Sequence, residues 1–465
     1  MQIILRGPAA GYEAEHTARI FFPGAEKAEI LPETEDFVQA ESHELTDLIL
    51  LRKDGRLYWR TDLRSPEADP EYALCKLEFG LLREVTGINP PWGMMTGVRP
   101  VRIIHDLRAA GESEDAIAEK FLGHFGCTPQ KFQLALGIAD LQRPVLDAAD
   151  PMDCSVYAGI PFCPTRCSYC SFVSRTVGDK ATAIRETADR CGLHIRTFYI
   201  GGGTPTALSA PQLEQLMSHI ARTFDLKSLD EYTVEAGRPD CTDAEKLRII
   251  KQYGATRISI NPQTFSDEVL RNIGRRHTAQ DIIDCFAAAR AAGHTNINMD
   301  LIAGLPGDTV EGFTTSLRQA IALDPENITV HTLTLKRASN LVVEHRAAAY
   351  DDVSAMLESC HELADAGYRP YYMYRQKGTL QNLENIGWAK PGCECLYNIY
   401  IMEEIHTILS AGAGGSTKLV IPGQRRGKIE RIFNFKYPTE YIDRFEEILA
   451  RKQGVEDFYA RCTTT

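Results

Sequence analysis

Between Ser155 and Leu333 the sequence alternates six short apolar runs, SVYAGI, RTFYI, EYTVEA, TRISI, TNINMDLI and NITVHTL, with segments whose apolar residues recur at helical spacing. Strand-sized runs separated by helix-sized ones predict right-handed strand-helix-strand crossovers and a parallel sheet. Six such units make an open, partial (β/α)6 barrel of the α/β class, TIM-like but not closed by eight strands. The helices between them are punctuated. Ser209 is placed to cap a helix through Pro211 and Leu216, Thr242 with Glu245 reads as a capping box on a helix ended by Gly254, Thr278 and Gly293 bracket the next, and Thr309 opens another.

The chemically unusual residues all fall at or just after these runs. Cys163, Cys167 and Cys170 follow the first, Gly201, Gly202 and Gly203 the second; Glu235 ends the third, Gln263 follows the fourth and Asp300 lies within the fifth. In a parallel barrel these positions share the carboxyl-end rim, where sites are built. Residues far apart in the chain are thereby expected at one mouth.

Upstream the pattern differs. Residues 1–90 hold short strand candidates such as QIIL and LILL, a polar turn at Asp54 to Arg56, and a helical run EYALCKLEFGLLREV, which together read as a small α+β region. Residues 91–150 read as a helical connector, 151–370 as the barrel core and 371–465 as a small C-terminal extension. A net charge of -12 argues against a broad nucleic-acid surface, and the Arg425-Arg426 pair reads as a solvated turn. No apolar run approaches the roughly 20 residues of a bilayer span. Thirteen cysteines, an odd number and scattered, do not make a disulfide framework. With no secretory leader in MQIILRGPAAG, they point to a reduced, cytoplasmic setting.

The segment IPFCPTRCSYCSF sets three thiols at C-x3-C-x2-C. Three thiolates hold three irons of a 4Fe-4S cubane and leave the fourth iron open, unlike the four-cysteine ferredoxin pattern. Zinc is the rival metal, but it wants a fourth ligand close by. GGGTPT at Gly201 to Thr206 lets backbone approach a ligand and lacks the Lys-Ser/Thr ending of a P-loop. Glu235 and Asp300 interrupt apolar strands, where a carboxylate is costly without a partner. Gln263, Arg275 and Tyr157 are singled out only by the shared rim. His277, His331 and His361 read as structural histidines, and Cys393 with Cys395 as inert thiols. Arg99 and Arg102 in TGVRPVR are candidates for pairing carboxylates through the guanidinium fork.

The motifs YAGIPFCPTRCSYCSF, YIGGGTPT, TVEAGRPD, RISINPQTF and NMDLIAGLPGDT resemble those of the radical S-adenosylmethionine (SAM) superfamily. More narrowly they are similar to its oxygen-independent coproporphyrinogen III oxidase-like group, and PWGMMTGVRP with INPQTF to the coproporphyrinogen dehydrogenase-like branch. The resemblance implies a 4Fe-4S cluster on Cys163, Cys167 and Cys170 and reductive cleavage of SAM to methionine and a 5'-deoxyadenosyl radical. It places Tyr157, Gly202 and Glu235 against that SAM, Tyr157 and Glu235 being the catalytic candidates. Gly203, Thr204, Gln263, Arg275, Asp300 and Thr334 match positions lining a second SAM. The implied activity is oxidative decarboxylation of two propionates of coproporphyrinogen III to vinyls, giving protoporphyrinogen IX. The implied partners are a tetrapyrrole substrate and an electron donor such as flavodoxin or ferredoxin. Phe172 stands where the coproporphyrinogen enzyme has a further cysteine, as in the related haem-chaperone branch, and the segment from Phe172 to Arg196 is short. The alternatives are therefore a haem-binding chaperone-like protein and a radical SAM enzyme acting on another tetrapyrrole.

Overall fold

The computed structural model describes residues 1–465 except 33, 98, 162–180, 335–350, 377–378, 425–426 and 464–465. It divides into two compact units, residues 1–136 with 375–384, and residues 137–374 with 385–465. Among the described residues no helix is long and apolar enough to cross a membrane.

The first unit is built on strands β1 (Gln2–Arg6), β2 (Glu26–Lys27), β3 (Phe37–Ser42), β4 (Thr46–Lys53) and β5 (Arg56–Leu63), in the order β2-β1-β3-β4-β5. The expected polar turn joins β4 to β5: Asp54 and Gly55 both take positive φ, 52° and 74°, the geometry of a two-residue hairpin that matches strand twist. One face of the sheet buries Ile3, Val38, Ala40, Ile49 and Leu51 against the helices Tyr12–Phe21 and Pro70–Thr86. The second of these is the EYALCKLEFGLLREV run. It starts where Asp69 accepts hydrogen bonds from the Glu71 and Tyr72 amides and stops at Gly87 in the left-handed conformation.

The second unit carries the barrel. Its strands are β6 (Asp153–Ile160), β7 (His194–Gly202), β8 (Glu231–Glu235), β9 (Arg257–Ser259), β10 (Ile297–Ala303), β11 (Asn327–Thr332), β12 (Arg369–Arg375), β13 (Glu384–Ala389), β14 (Thr407–Ala411), β15 (Ser416–Leu419) and β16 (Glu430–Phe433). The strands β6 to β11 run parallel in sequence order, one for each apolar run. The sheet does not close. Among the described residues its order is β12-β13-β11-β10-β9-β8-β7-β6-β14-β15-β16, with β13 antiparallel on β11 and β14 parallel on β6. The C-terminal strands therefore continue the barrel sheet past its first strand.

The two faces of this sheet differ sharply. Val156, Phe198, Ile200, Tyr232, Val234, Ile258, Met299, Leu301, Ile328 and Val330 are buried on one face. Phe198 lies 5.0 Å, ring to ring, from Phe224 at the end of the helix Ala210–Thr223, so this face packs the helices. The alternating residues Ser155, Tyr157, Thr197, Tyr199, Thr233, Glu235, Arg257, Ser259, Asn298, Asp300, Thr329 and His331 occupy the other face. A parallel strand buried on both sides ordinarily reads as continuous apolar residues. Here period-2 alternation puts polar groups inside the barrel, and they are tied together: Thr197 donates to Ser155 at 2.8 Å and Thr329 to Asn298 at 3.0 Å.

Ser209 caps its helix through a capping box with Gln212, Thr278 does so with Asp281, and Thr309 receives the Gly312 amide. At Thr242 the expectation is corrected. The cap of helix Ala244–Gln252 is Asp243, which accepts from the Lys246 amide, while the Thr242 hydroxyl donates to Thr206 at 2.8 Å. Thr242 is needed to hold the loop after β7 against the loop after β8, so the adjacent carboxylate caps instead.

Candidate functional site

The rim is assembled by local backbone geometry. Gly202 ends β7 at φ 107°, and a Cβ there would lie 2.8 Å from the Ile160 nitrogen, so only glycine lets the loop lie this close to the end of β6. The next amide, Gly203, donates to the Ile160 carbonyl at 2.7 Å. Gly201 is equally constrained: a Cβ would stand 2.8 Å from the Tyr199 ring and 2.9 Å from the Glu235 carboxyl carbon. The glycine run thus roofs a half-buried acid. Thr204 and Thr206 are buried behind it, and Lys246 fixes the loop by donating to the Thr206 and Cys241 carbonyls at 2.8 and 2.7 Å.

Glu235 ends β8 inside the barrel. Tyr199 donates to its Oε1 at 2.7 Å. Burial pushes the Glu235 carboxyl up to about 7, opposed by the Tyr199 hydrogen bond and assisted by the negative charge of Asp300. Tyr157, on β6, stacks on Tyr199 at 5.9 Å and on Tyr397 at 6.3 Å, and burial raises its phenol well above the ordinary range. Asp300 lies on β10 among groups that favour its charge. Burial alone would raise it, but His331 at 3.8 Å, the Asn298 amide at 2.7 Å and the charge of Arg257 hold it below its usual value. Two neighbouring carboxyls thus have opposite tendencies, one disposed to carry a proton near neutrality and one to stay ionised.

Gln263 follows β9 at φ 69°, a left-handed conformation costly for a residue with a side chain. Its backbone holds it there: the amide donates to the Asp300 carbonyl at 2.8 Å, and Ile302 donates back at 2.9 Å. Arg275 is buried just beyond the helix Asp267–Asn272, and Thr334 follows β11 with its hydroxyl donating to Thr332. Gly202, Gly203, Glu235 and Gln263 therefore lie at the carboxyl ends of neighbouring strands, whereas Tyr157 and Asp300 stand within β6 and β10 on the inner face. Cys163, Cys167, Cys170 and Phe172 lie outside the described residues, as do Arg425 and Arg426.

A cleft of about 380 Å3 opens at the ends of β6 and β7, lined by Tyr157, Gly159, Ile160, Pro161, Gly202 and Gly203. Its remaining wall comes from the C-terminal strands, through Ala413, Gly414 and Gly415 after β14 and Phe433, Asn434 and Lys436 at the end of β16. The donor set fits SAM: glycine backbone at close range, a half-buried carboxylate beneath it for an ammonium group, and a cleft of ligand size at the mouth from which Pro161 leads into the cysteine segment.

The Radical SAM superfamily model matches residues 157–320, which span the strands bearing Tyr157 through Asp300. The oxygen-independent coproporphyrinogen-III oxidase-like protein HemZ of Bacillus subtilis is 39% identical over 405 residues, 82% of this chain and 80% of that protein. This chain belongs to the radical SAM superfamily, in its oxygen-independent coproporphyrinogen III oxidase-like group. The heme chaperone HemW of B. subtilis is also similar, 33% identical over 66% of this chain and 82% of that protein. Among solved structures the coproporphyrinogen III oxidase HemN of Escherichia coli aligns with a TM-score of 0.49 at 23% identity, covering 66% of this chain and 72% of that one. Proteins of the radical SAM superfamily use a 4Fe-4S cluster and SAM.

Against this radical SAM framework, several inner residues had no separate signal. Tyr199 was one strand residue among others in RTFYI. Glu231 and Arg257 are charged residues at strand starts, and that was the available clue. Glu231 accepts from the Leu396 and Tyr397 amides and the Cys395 thiol, fixing the helix Leu396–Glu403 and accounting for half of the C-x-C pair. Arg257 donates to the Asn296 side chain and the Cys393 carbonyl. Of the histidines, His277 is buried 3.8 Å from Asp240, His361 caps its own turn through the Glu358 carbonyl, and His331 joins Asp300 to Tyr374. Arg99 precedes the helix Pro100–Ala109 and Arg102 lies 3.9 Å from Asp106. Asn434 and Lys436 carry no signal in the sequence that marks them as part of the site.

Proposed function

We propose that the protein is an oxygen-independent enzyme that oxidatively decarboxylates propionate side chains of a porphyrinogen, coproporphyrinogen III to protoporphyrinogen IX. The observation that carries the reading is the grouping of Tyr157, Gly202, Gly203 and Glu235 at one mouth, on or just after β6, which precedes the cysteine segment in sequence, and its neighbours β7 and β8. In this reading Cys163, Cys167 and Cys170 hold a 4Fe-4S cluster, and Tyr157, Gly202 and Glu235 hold SAM. Gly203, Thr204, Gln263, Arg275, Asp300 and Thr334 line room for a second SAM. When bound, the reduced cluster and SAM supply a hydrogen-abstracting radical.

The chain's own residues position and insulate. Glu235, ionised and oriented by Tyr199, receives an ammonium group; the loop from Gly201 to Thr204 offers backbone at close range; the stacked Tyr157, Tyr199 and Tyr397 keep water from the reacting carbon. Each turnover takes one hydrogen atom from a propionate, releases carbon dioxide, passes one electron to an acceptor and leaves a vinyl group. An electron donor such as flavodoxin or ferredoxin reduces the cluster.

Reconstituted protein, reduced anaerobically and given SAM and coproporphyrinogen III, is expected to form 5'-deoxyadenosine, carbon dioxide and protoporphyrinogen IX together. Cleavage of SAM with no vinyl product would overturn the substrate assignment.

A second reading is favoured by the HemW relatives and by Phe172: a protein that binds haem and uses its cluster for assembly or transfer. Its mark is a saturable Soret shift on haem titration at micromolar protein, and its absence would remove this reading.

A further inference from the structure

The wall of the cleft supplied by the C-terminal strands is as closely built as the barrel side. Gly412 takes φ 97°, and a Cβ on it would lie 2.1 Å from the Gly159 carbonyl oxygen, so β14 delivers its loop directly onto the end of β6. Gly415 would place a Cβ 2.3 Å from the Ser410 hydroxyl. Asn434 then locks the loop: its Nδ2 donates to the Gly412 carbonyl at 2.9 Å and to the Ser410 carbonyl at 3.3 Å.

Those two carbonyls also fix which way the amide faces, because a reversed amide would set oxygen against oxygen. Asn434 is 5% exposed, yet its Oδ1 has no hydrogen-bond partner. A buried acceptor left in this state is costly unless a ligand supplies a donor. Lys436, two residues on, is exposed at the same cleft and has no ion-pair partner among the described residues, in a chain of net charge -12. Phe433, also on the cleft, is 58% exposed. An unmet acceptor, an exposed cation that lies 6.0 Å over the Tyr437 ring without an ion-pair partner among the described residues, and an exposed phenylalanine thus share one wall.

We propose that Phe433, Asn434 and Lys436 form the subsite that recognises one pyrrole ring of the substrate together with its carboxylate side chain. Lys436 pairs the propionate, Asn434 Oδ1 accepts the pyrrole N–H, and Phe433 covers the ring face. The assignment rests on the porphyrinogen reading above and sharpens it, because a metallated ring has no N–H to offer Asn434. SAM also combines a carboxylate with N–H donors, so the test separates the two sources.

Coproporphyrin III, the air-stable oxidised analogue, and SAM are titrated separately into the reconstituted wild-type protein and into Lys436→Gln and Lys436→Arg. Lys436 is exposed and its recorded contact is with the likewise exposed Tyr437 ring, so both variants are expected to keep the fold. Lys436→Gln is expected to weaken coproporphyrin III binding about tenfold, Lys436→Arg by less than about threefold, and SAM binding in both to stay within about twofold. Equal coproporphyrin affinity in wild type and Lys436→Gln, or a parallel loss of SAM, would overturn the subsite while leaving the porphyrinogen reading standing. A wild-type protein that binds no coproporphyrin would remove both the subsite and the reading on which it rests.

Discussion

Tyr199 donates a 2.7 Å hydrogen bond to Glu235 beneath a glycine loop that has no room for a side chain. Burial and Asp300 raise the acid to about 7 while Tyr199 works against them, so the tyrosine sets how much of Glu235 is ionised at neutral pH. If Glu235 receives the SAM ammonium, affinity for SAM rises as pH passes upward through about 7. Tyr199→Phe removes the opposing hydrogen bond, and the midpoint is expected to move up by about one pH unit. Equilibrium binding of SAM between pH 5.5 and 9 reads this directly. An unmoved midpoint would show that Tyr199 only fills space.

Replacing all three of Cys163, Cys167 and Cys170 by alanine is expected to abolish iron binding and SAM binding together. The fold should survive, because β6 is paired from Asp153 to Ile160 with β7 and from Cys154 to Ala158 with β14. Iron content, SAM binding and a thermal melt of one preparation check it. A melting temperature lowered by more than about 5 °C would mean that the cluster carries folding energy as well as chemistry.

The loop from β14 gives a paired test. Gly412 and Gly392 both have positive φ, 97° and 79°, but only Gly412 has a neighbour within reach of a Cβ. Gly392→Ala is expected to cost about 1 kcal/mol, the backbone strain alone. Gly412→Ala adds a clash with the Gly159 carbonyl and is expected to cost about 3 kcal/mol or more, or to displace the loop and with it ligand binding at the cleft. Urea unfolding of the two variants distinguishes these; similar losses would mean that the β14 loop relaxes away from β6 without penalty.

What the sequence disclosed and what it withheld divide along physical lines. Val156, Phe198, Val234, Ile258 and Val330 stand at strand spacing, and the shared rim follows from their parallel order alone. Helix starts at Ser209, Thr278 and Thr309 are local events written in adjacent residues, and so were legible. Thr242 failed because two cap-forming residues stand side by side and a tertiary contact with Thr206 chose between them. Asn434 and Lys436 had no signal, since their place depends on β14 pairing with β6 across some 250 residues of chain. Tyr199 was visible as a residue but not as a partner for Glu235, because register, not composition, sets Tyr199 opposite Thr233, with Glu235 two residues on.

The first unit holds a group that the proposed chemistry does not use. Glu78, on the helix Pro70–Thr86, is fully buried, and neither carboxyl oxygen has a hydrogen-bond partner. Burial holds its pKa well above the ordinary 4.5, so the folded protein keeps it neutral where the unfolded chain ionises it. The sign follows from linkage. As far as this group is concerned stability is greatest below about 4.5, falls as pH rises through the interval in which only the unfolded chain has lost the proton, and levels off above the folded pKa. Glu78→Met keeps the length of the side chain and removes the titration. It is expected to flatten that fall and to stabilise the unit by about 2 kcal/mol at pH 8, with a smaller gain at pH 5. Urea unfolding of wild type and variant at the two pH values measures the difference, and an equal gain at both would place the cost of Glu78 in its shape rather than its charge.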